Sequence, residues 1–328
     1  MERRLGILLI PDIAVSRAVK ISVAAEDSGF SYVWVADEDF YRDVYVTLSA
    51  IALNTNRIRL GPGCVNPYTR HIAMNAIATA TLNEMSGGRA VFAIGTGGLN
   101  ILEPLGYRME KPVRVLREAI AFFKEFTSGR ETSIDGFHVK GFGCRIGFPN
   151  PSPIPVYLAC RGPQMLRLAG RMADGVLLGS VPAEYIPVAV REISRGLEMS
   201  GRSLGNFDIA NSVICCCMKD EEEAYRRARK YLVYSMAVTP EYVLETVGLS
   251  SDDIKPIRDS LPDLDVASNH VTDKMVEKFA IVGSLDECTR RIREYFEAGV
   301  TQLVLSAPIG FPTLEMLRLI GESFRYTA

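Results

Sequence analysis

The chain has 328 residues, 48% of them hydrophobic and 23% charged, and its 37 basic against 39 acidic residues leave a formal net charge of −2. A chain this long buries a large core without disulfide or metal staples, and its composition excludes disordered, fibrous and disulfide-knot classes. So balanced a charge supplies no global field for nucleic acid or anionic membrane. Seven cysteines without a C-x-x-C pair read as reduced thiols of a cytoplasmic protein. His71, His138 and His270 lie far apart with no metal-ligand spacing, so no metal is expected. The opening Met1-Glu2-Arg3-Arg4 leads into an apolar run only to Ile10, too short for a signal peptide or a spanning helix.

From there, short β-prone runs alternate with stretches of helical period, the pattern of repeated βα units around a parallel sheet. Residues 5–10 read as a first strand and 15–27 as an amphipathic helix closed by Gly29; 32–36 is a second strand and 46–53 a helix. A third strand at 58–60 enters Gly61-Pro62-Gly63, an Ala-rich helix at 72–85 stops at Gly87-Gly88, and 90–94 is a fourth strand. After Gly95-Thr96-Gly97-Gly98 come a helix over 113–126 and a small hairpin of 132–134 with 137–139. Strands at 155–159, 175–178 and 209–217 alternate with helices at 163–172, which has proline at its first position, and 183–199. Asp220 followed by Glu223 opens a further helix. Residues 237–277 break the rhythm with Pro240, Pro256 and Pro262 and are expected to be an insertion within a single domain spanning 1–328. Ser284 with Glu287 caps the next helix, 302–305 is the eighth strand and 313–324 the closing helix. The count predicts an α/β fold, a (β/α)8 TIM barrel with a C-terminal-half insertion, with a doubly wound sheet as second choice.

Loops leaving the C-terminal ends of barrel strands build the active site. Here the strand ends proper carry no lysine and no dense cluster of histidines or carboxylates, which disfavours Schiff-base and metal-hydrolase chemistry. Few ionisable groups among many glycines suit a flat cofactor that brings its own reactivity. Gly95, Thr96 and Gly97 let backbone approach such a ligand, or else form a plain tight turn. Cys160-Arg161-Gly162-Pro163 follows a strand at the first turn of a helix. Free N–H groups and the helix dipole attract an anion there, such as a cofactor phosphate, and Arg161 adds charge; a proline-capped turn is the plainer alternative. Asp37-Glu38-Asp39 crowds three carboxylates, which can raise the pKa of one into a range useful for acid or base work, or can be a solvated loop. Tyr68, Arg70 and His71 add a phenol, a guanidinium and an imidazole, the last more typical of a cap than a catalyst. The run Cys215-Cys216-Cys217 reads as core packing.

Taken together, Leu60-Gly61-Pro62-Gly63-Cys64-Val65-Asn66-Pro67-Tyr68-Thr69-Arg70-His71, Ile77-Ala78-Thr79-Ala80-Thr81-Leu82 and Ser86-Gly87-Gly88-Arg89-Ala90 resemble the bacterial-luciferase-like superfamily. Within it they most resemble the archaeal methylene-tetrahydromethanopterin reductases, which use the deazaflavin coenzyme F420. Matches at Ala173-Asp174-Gly175-Val176-Leu177, Phe279-Ala280-Ile281-Val282-Gly283 and Ala298-Gly299-Val300-Thr301-Gln302 extend the resemblance over nearly the whole chain. It implies a luciferase-like barrel assembled as a homodimer or homotetramer. It also implies a non-prolyl cis peptide at Gly63-Cys64 against the middle ring of the deazaflavin, with Val65 and Asn66 and the Gly95-Thr96-Gly97 turn beside it, and a cofactor phosphate held at Cys160, Arg161 and Gly162. Where the reductases carry a glutamate in the first strand, Asp-His after the second and an aspartate after the strand-four glycines, this chain has Leu8, Asp37-Glu38 and Gly98. The acid/base role therefore falls on Glu38, helped by Asp37 and Tyr68. The implied activity is F420-dependent hydride transfer with a small organic or one-carbon pterin substrate, without nucleic-acid or membrane partners. An FMN-dependent luciferase-like monooxygenase and a non-catalytic flavin or deazaflavin binder are the alternatives.

Overall fold

The computed structural model describes residues 2–38, 40–310 and 313–325; Asp39, grouped above with Asp37 and Glu38, lies outside them. Its strands are β1 (Arg4–Leu9), β2 (Tyr32–Val35), β3 (Arg59–Pro62), β4 (Phe92–Ile94), β5 (Thr132–Asp135), β6 (Lys140–Cys144), β7 (Val156–Ala159), β8 (Gly175–Gly179), β9 (Asp208–Cys217), β10 (Ala280–Gly283) and β11 (Gln302–Gly310). The helices are α1 (Val15–Asp27), α2 (Val44–Asn54), α3 (Ile72–Met85), α4 (Leu99–Leu102), α5 (Pro112–Thr127), α6 (Pro163–Met172), α7 (Ile186–Glu198), α8 (Glu221–Ala237), α9 (Glu241–Leu244), α10 (Ser251–Ser260), α11 (Leu264–Ser268), α12 (Asp273–Phe279), α13 (Leu285–Glu297) and α14 (Thr313–Arg325). Parallel strands run in the order β3-β2-β1-β11-β9-β8-β7-β4, and bridges Leu60–Ala90 and Val65–Ile94 join β3 to β4 and close the ring. This is the eight-stranded TIM barrel that the alternation predicts, and the doubly wound sheet is excluded by that closure.

Two layers of core follow from strands buried on both faces. Outside the barrel, helices cover the sheet with aliphatic and aromatic side chains such as Leu48, Ile51, Phe123 and Ile193, which meet outward strand residues such as Phe92. Inside, Tyr32, Trp34, Val91, Ala93, Tyr157, Leu177, Ala210 and Val304 fill the lumen. The N-terminal end of the barrel is held by a polar network on Asp208. It accepts from the Arg4 guanidinium at 2.8 Å, the Tyr157 hydroxyl at 2.7 Å and the Gln302 amide at 3.0 Å, and Gln302 in turn accepts from the Trp34 indole at 2.7 Å. A cavity of about 920 Å³ opens beside it, at the end remote from the strand C-termini.

Three departures from the sequence reading have local causes. β10 is an added strand that pairs with the outer half of β9, Ile214–Cys217, in a stretch to which the sequence reading gave no element, between the insertion over 237–277 and the helix capped at Ser284. β11 continues past Leu305 to Gly310 across a register shift between Ser306 and Ile309. The hairpin's second strand begins at Lys140, because Asp135 pairs with Lys140 and leaves 136–139 as the turn. Within 237–277, α9, α10, α11 and α12 replace the regular βα alternation, their starts set by Pro240, a Ser250–Asp253 capping box, Asp263 and Thr272.

Candidate active site

At the C-terminal end of the barrel the lumen is topped by Leu8, Cys64 and Ala159, partly buried side chains packed on the interior cluster. They make a floor without charge. The Gly63–Cys64 peptide is cis. Gly63 N–H donates to Val35 O at 2.8 Å, Val65 N–H to Ala93 O at 3.1 Å and Gly95 N–H to Val65 O at 2.9 Å, so the stretches 63–66 and 95–97 are laced together. A methyl at Gly95 would stand 2.8 Å from Cys64 Sγ and 3.3 Å from Ala159 Cβ, and one at Gly97 3.2 Å from Asn66 Cβ. All three segments named as cofactor-binding thus converge around Gly95, where only a glycine leaves room. Asn66 is a structural keystone here: its Oδ1 accepts from Tyr68 N–H and Thr69 N–H, both at 2.9 Å. The half-buried Thr96 hydroxyl turns to Gly97 O at 3.4 Å. Burial, and after it the charges of Asp37 and Glu38, push the Cys64 thiol up to about 12, and burial likewise pushes Cys160 up, so both stay neutral.

Beside this floor, Gly162 is the N-cap of α6, with no side chain capping the helix and Pro163 in its first turn. Free amides at such a terminus favour an anion. The Arg161 guanidinium donates to Val238 O, the C-cap of α8, at 3.2 Å, and Arg161 O accepts the Tyr185 hydroxyl at 2.6 Å. These contacts fix the turn. The Tyr242 hydroxyl, carried on α9, lies 3.3 Å from the position of a Gly162 Cβ, and its ring is 6.0 Å from that of Tyr185. Sequence reasoning missed Tyr185 and Tyr242, since nothing in their local pattern announces that they fold over a turn elsewhere in the chain.

On the opposite rim stands the carboxylate pair. Burial, and to a lesser degree the charge of Asp43, raises the Asp37 carboxyl above its ordinary range, while Arg70 pulls the other way. The cause is chiefly desolvation rather than the crowding expected from the sequence. Arg70 is held by Asp43 at 3.2 Å and lies over the Tyr45 ring at 5.0 Å. Asp43 is also the N-cap of α2, accepting from Tyr45 N–H and Val46 N–H, a role legible only once the helix start is known. Glu38 and Asp37 both act electrostatically on Cys64, which places them at the edge of the floor. Tyr68 is elsewhere: it is buried with Leu102 and Val115, its hydroxyl donates to Glu110 O at 3.4 Å, and its ring is 4.8 Å from His138. The structure does not bring its hydroxyl to the carboxylates. His71 caps α3, accepting from Ala73 N–H at 3.2 Å.

Two strand ends on this rim hold non-glycine residues in the left-handed region, Ser180 at φ +49° after β8 and Ile309 at φ +63° in β11. Each costs about 1–3 kcal/mol and persists only where its surroundings over-determine it, the usual signature of a functional rim. Among the described residues no group of three or more His, Cys, Asp or Glu is arranged to hold a metal, and no helix is long and apolar enough to cross a membrane.

The model of the luciferase-like monooxygenase family matches residues 4–302. The 5,10-methylenetetrahydromethanopterin reductase of Archaeoglobus fulgidus is 38% identical, over 97% of this chain and 98% of its own. That of Methanolobus tindarius is 35% identical over 97% and 98%. The solved structure of the coenzyme F420-dependent tetrahydromethanopterin reductase from Methanopyrus kandleri superposes with a TM-score of 0.93 at 30% identity, covering 100% of both chains. A closed parallel barrel, an uncharged floor around a cis Gly63–Cys64 bond and a match over nearly its full length make this chain a member of the luciferase-like monooxygenase family.

Proposed function

We propose that the protein is a coenzyme F420-dependent oxidoreductase that moves hydride between the deazaflavin and a one-carbon tetrahydropterin, as the names of its reductase relatives suggest. The observation that carries this reading is the meeting of the segments that hold Cys64, Gly95 and Ala159, packed so closely that only a glycine fits at 95, in one uncharged floor at the C-terminal end of the barrel. Leu8, Cys64 and Ala159 would bear the ring face, and the α6 terminus with Gly162 and the Tyr242 hydroxyl would hold the phosphate. When bound, the deazaflavin supplies the hydride chemistry, which no side chain of this chain offers. The protein's own work is enclosure, orientation and proton handling. Burial raises the Asp37 carboxyl and so favours its protonated form, from which it can deliver a proton to the amine that departs as a one-carbon bridge opens; the charges of Arg70 and Asp43 set how readily that proton leaves.

We further propose a homodimer formed by the outward faces of α2 and α3, residence in a reducing cytoplasm, where its free cysteines would stay unpaired, and an insertion at 237–277 whose use is to bring Tyr242 over the phosphate cradle. Parallel titrations with F420 and FMN, followed by turnover of reduced F420 with methylene-tetrahydromethanopterin, test the function. Selective F420 binding with turnover is expected. Selective FMN binding with oxygen-dependent product would replace the reading by a monooxygenase, and tight F420 binding without turnover of any one-carbon pterin would leave a binding protein.

A further inference from the structure

We infer that Ser306, on the inner face of β11, hydrogen-bonds the substrate at an uncharged acceptor, a ring nitrogen or carbonyl oxygen near the reacting carbon, an inference that rests on the deazaflavin reading above. Side chains alternate along a strand, so the neighbours of Ser306 give its direction. Val304, two residues earlier, belongs to the cluster that fills the lumen, and the register of β11 does not shift until after Ser306. Ser306 therefore faces inward, as Val304 does. It pairs with Leu8 of β1, whose Cδ1 lies 3.2 Å from where a Gly63 Cβ would stand. Passing around the barrel from β3, the cis Gly63–Cys64 bond is followed by Leu8 and then by Ser306, so the hydroxyl borders the uncharged floor.

Ser306 is 8% exposed, and among the described residues its hydroxyl has no hydrogen-bond partner. Ser212 on the adjoining β9 supplies the contrast. It is buried as deeply and pairs with Val304, so it faces the same lumen one layer lower, but its hydroxyl is spent on Leu178 O at 3.3 Å. Buried polar groups are paired as a rule, and one left unpaired lowers stability. An unpaired hydroxyl at the edge of a ligand floor is accordingly a contact awaiting its ligand. Directly after it, β11 shifts register between Ser306 and Ile309, an irregularity of the kind that re-aims side chains at barrel rims beside active sites. The Cys215 thiol, donating to Ile309 O at 3.7 Å, holds the displaced strand end.

The surroundings also select what the hydroxyl can meet. Leu8, Cys64 and Ala159 carry no charge, so an anionic group on Ser306 would lie on the floor without a counter-ion, whereas a neutral acceptor gains a partner without that cost. The serine oxygen keeps its lone pairs and can accept from a substrate N–H in return, which suits an amine or amide edge. Asp37 follows β2, on the opposite side of β1 from β11. A substrate lying over Leu8 is thus flanked by two unlike groups, a carboxyl that can give up a proton and a hydroxyl that can only orient.

The test compares wild type with Ser306→Ala and Ser212→Ala. It reads Tm, F420 affinity by fluorescence titration, the affinity of the F420-loaded protein for tetrahydromethanopterin by calorimetry, and kcat/KM with methylene-tetrahydromethanopterin. Ser306→Ala is expected to keep F420 affinity, to keep or raise Tm because an unpaired hydroxyl has gone, and to lose about tenfold in pterin affinity and in kcat/KM. Ser212→Ala is expected to lower Tm with little change in pterin affinity, since its hydroxyl serves the fold. Wild-type pterin affinity and turnover in Ser306→Ala overturn the assignment while leaving the cofactor reading intact. Weakened F420 binding in that variant overturns it too, by making Ser306 a cofactor contact, and so does an equal loss of pterin affinity in Ser212→Ala, by making the response general to the lumen wall. A wild type that binds F420 but no pterin overturns the assignment together with the choice of substrate, and one that binds neither overturns the cofactor reading as well.

Discussion

Adjacent carboxylates acquire different chemistry when their solvation differs. The Asp37 carboxyl is raised chiefly by burial, so its ionised form is a cost to the folded state. The sign follows directly. For an acid whose folded pKa lies above its unfolded value, the favourable contribution is complete below the ordinary aspartate value of 3.8 and is lost as pH rises through the raised value. Asp37→Asn is therefore expected to raise Tm at pH 7, a gain that fades as the pH approaches 4, while turnover falls about 10²–10³-fold with the proton donor gone. Glu38→Gln, a change beside the donor, is expected to cost about tenfold in kcat with cofactor affinity nearly intact. A full loss at Glu38 with little effect at Asp37 would reverse the two roles. Tyr242 tests the other rim: a hydrogen bond to a charged group is worth about 1.5–3 kcal/mol, so Tyr242→Phe should weaken F420 binding about tenfold or more with kcat little changed. Unaltered affinity by fluorescence titration would remove Tyr242 from the cradle.

At the scale of elements, the α6 cradle depends on how closely α6 can lie against α7. A methyl at Gly196 would fall 2.1 Å from Arg167 O, and one at Gly170 2.3 Å from Ile193 O, so the two helices meet backbone to backbone. Gly196→Ala must push α6 outward. A loss of about 2–3 kcal/mol is expected by denaturant titration, together with weaker F420 binding because the displaced terminus carries Gly162. What the sequence made legible has the same local character. α1 and α3 are bounded as their periodicity and flanking glycines indicate, and Ser284–Glu287 forms the capping box that the spacing announces. Long strands buried on both faces, such as β9, stood out as continuous apolar runs. β10 did not, because four residues closing an irregular segment carry too little periodicity to separate them from the helix before them. In the candidate site, the motif glycines and Cys160-Arg161-Gly162 could be placed at strand ends from the sequence because each group lies within one turn. Tyr185 and Tyr242 approach the cradle only through tertiary folding, and Tyr68, named as a helper of Glu38, packs its ring with Leu102 and Val115, a direction that its place in the motif does not reveal.

For the whole molecule, the helices that support the carboxylate rim are also the ones least suited to face water. α2 contains no charged residue and α3 only Glu84, so neither has the polar outer face of a helix flanking a monomeric barrel. Val46 and Leu53 on α2 are 66% and 70% exposed, and the neighbouring α3 exposes Met74 and Met85. Exposed apolar surface of this kind marks an interface, and the same face on a second copy of the chain is self-complementary under two-fold symmetry. Val46 and Leu53 lie on the helix whose N-cap, Asp43, grips Arg70 next to Asp37. Pairing would hold that helix end still and keep Arg70 from relaxing the raised Asp37 carboxyl further. Leu53→Glu combined with Met74→Glu is accordingly expected to convert a dimer to a monomer in light scattering, to lower Tm, and to reduce kcat more than it reduces F420 affinity, since the floor and the cradle lie on other elements. A wild-type protein that is monomeric at micromolar concentration would refute the interface. A dimer that survives both charges would move it to another face and free the rim from any dependence on the partner.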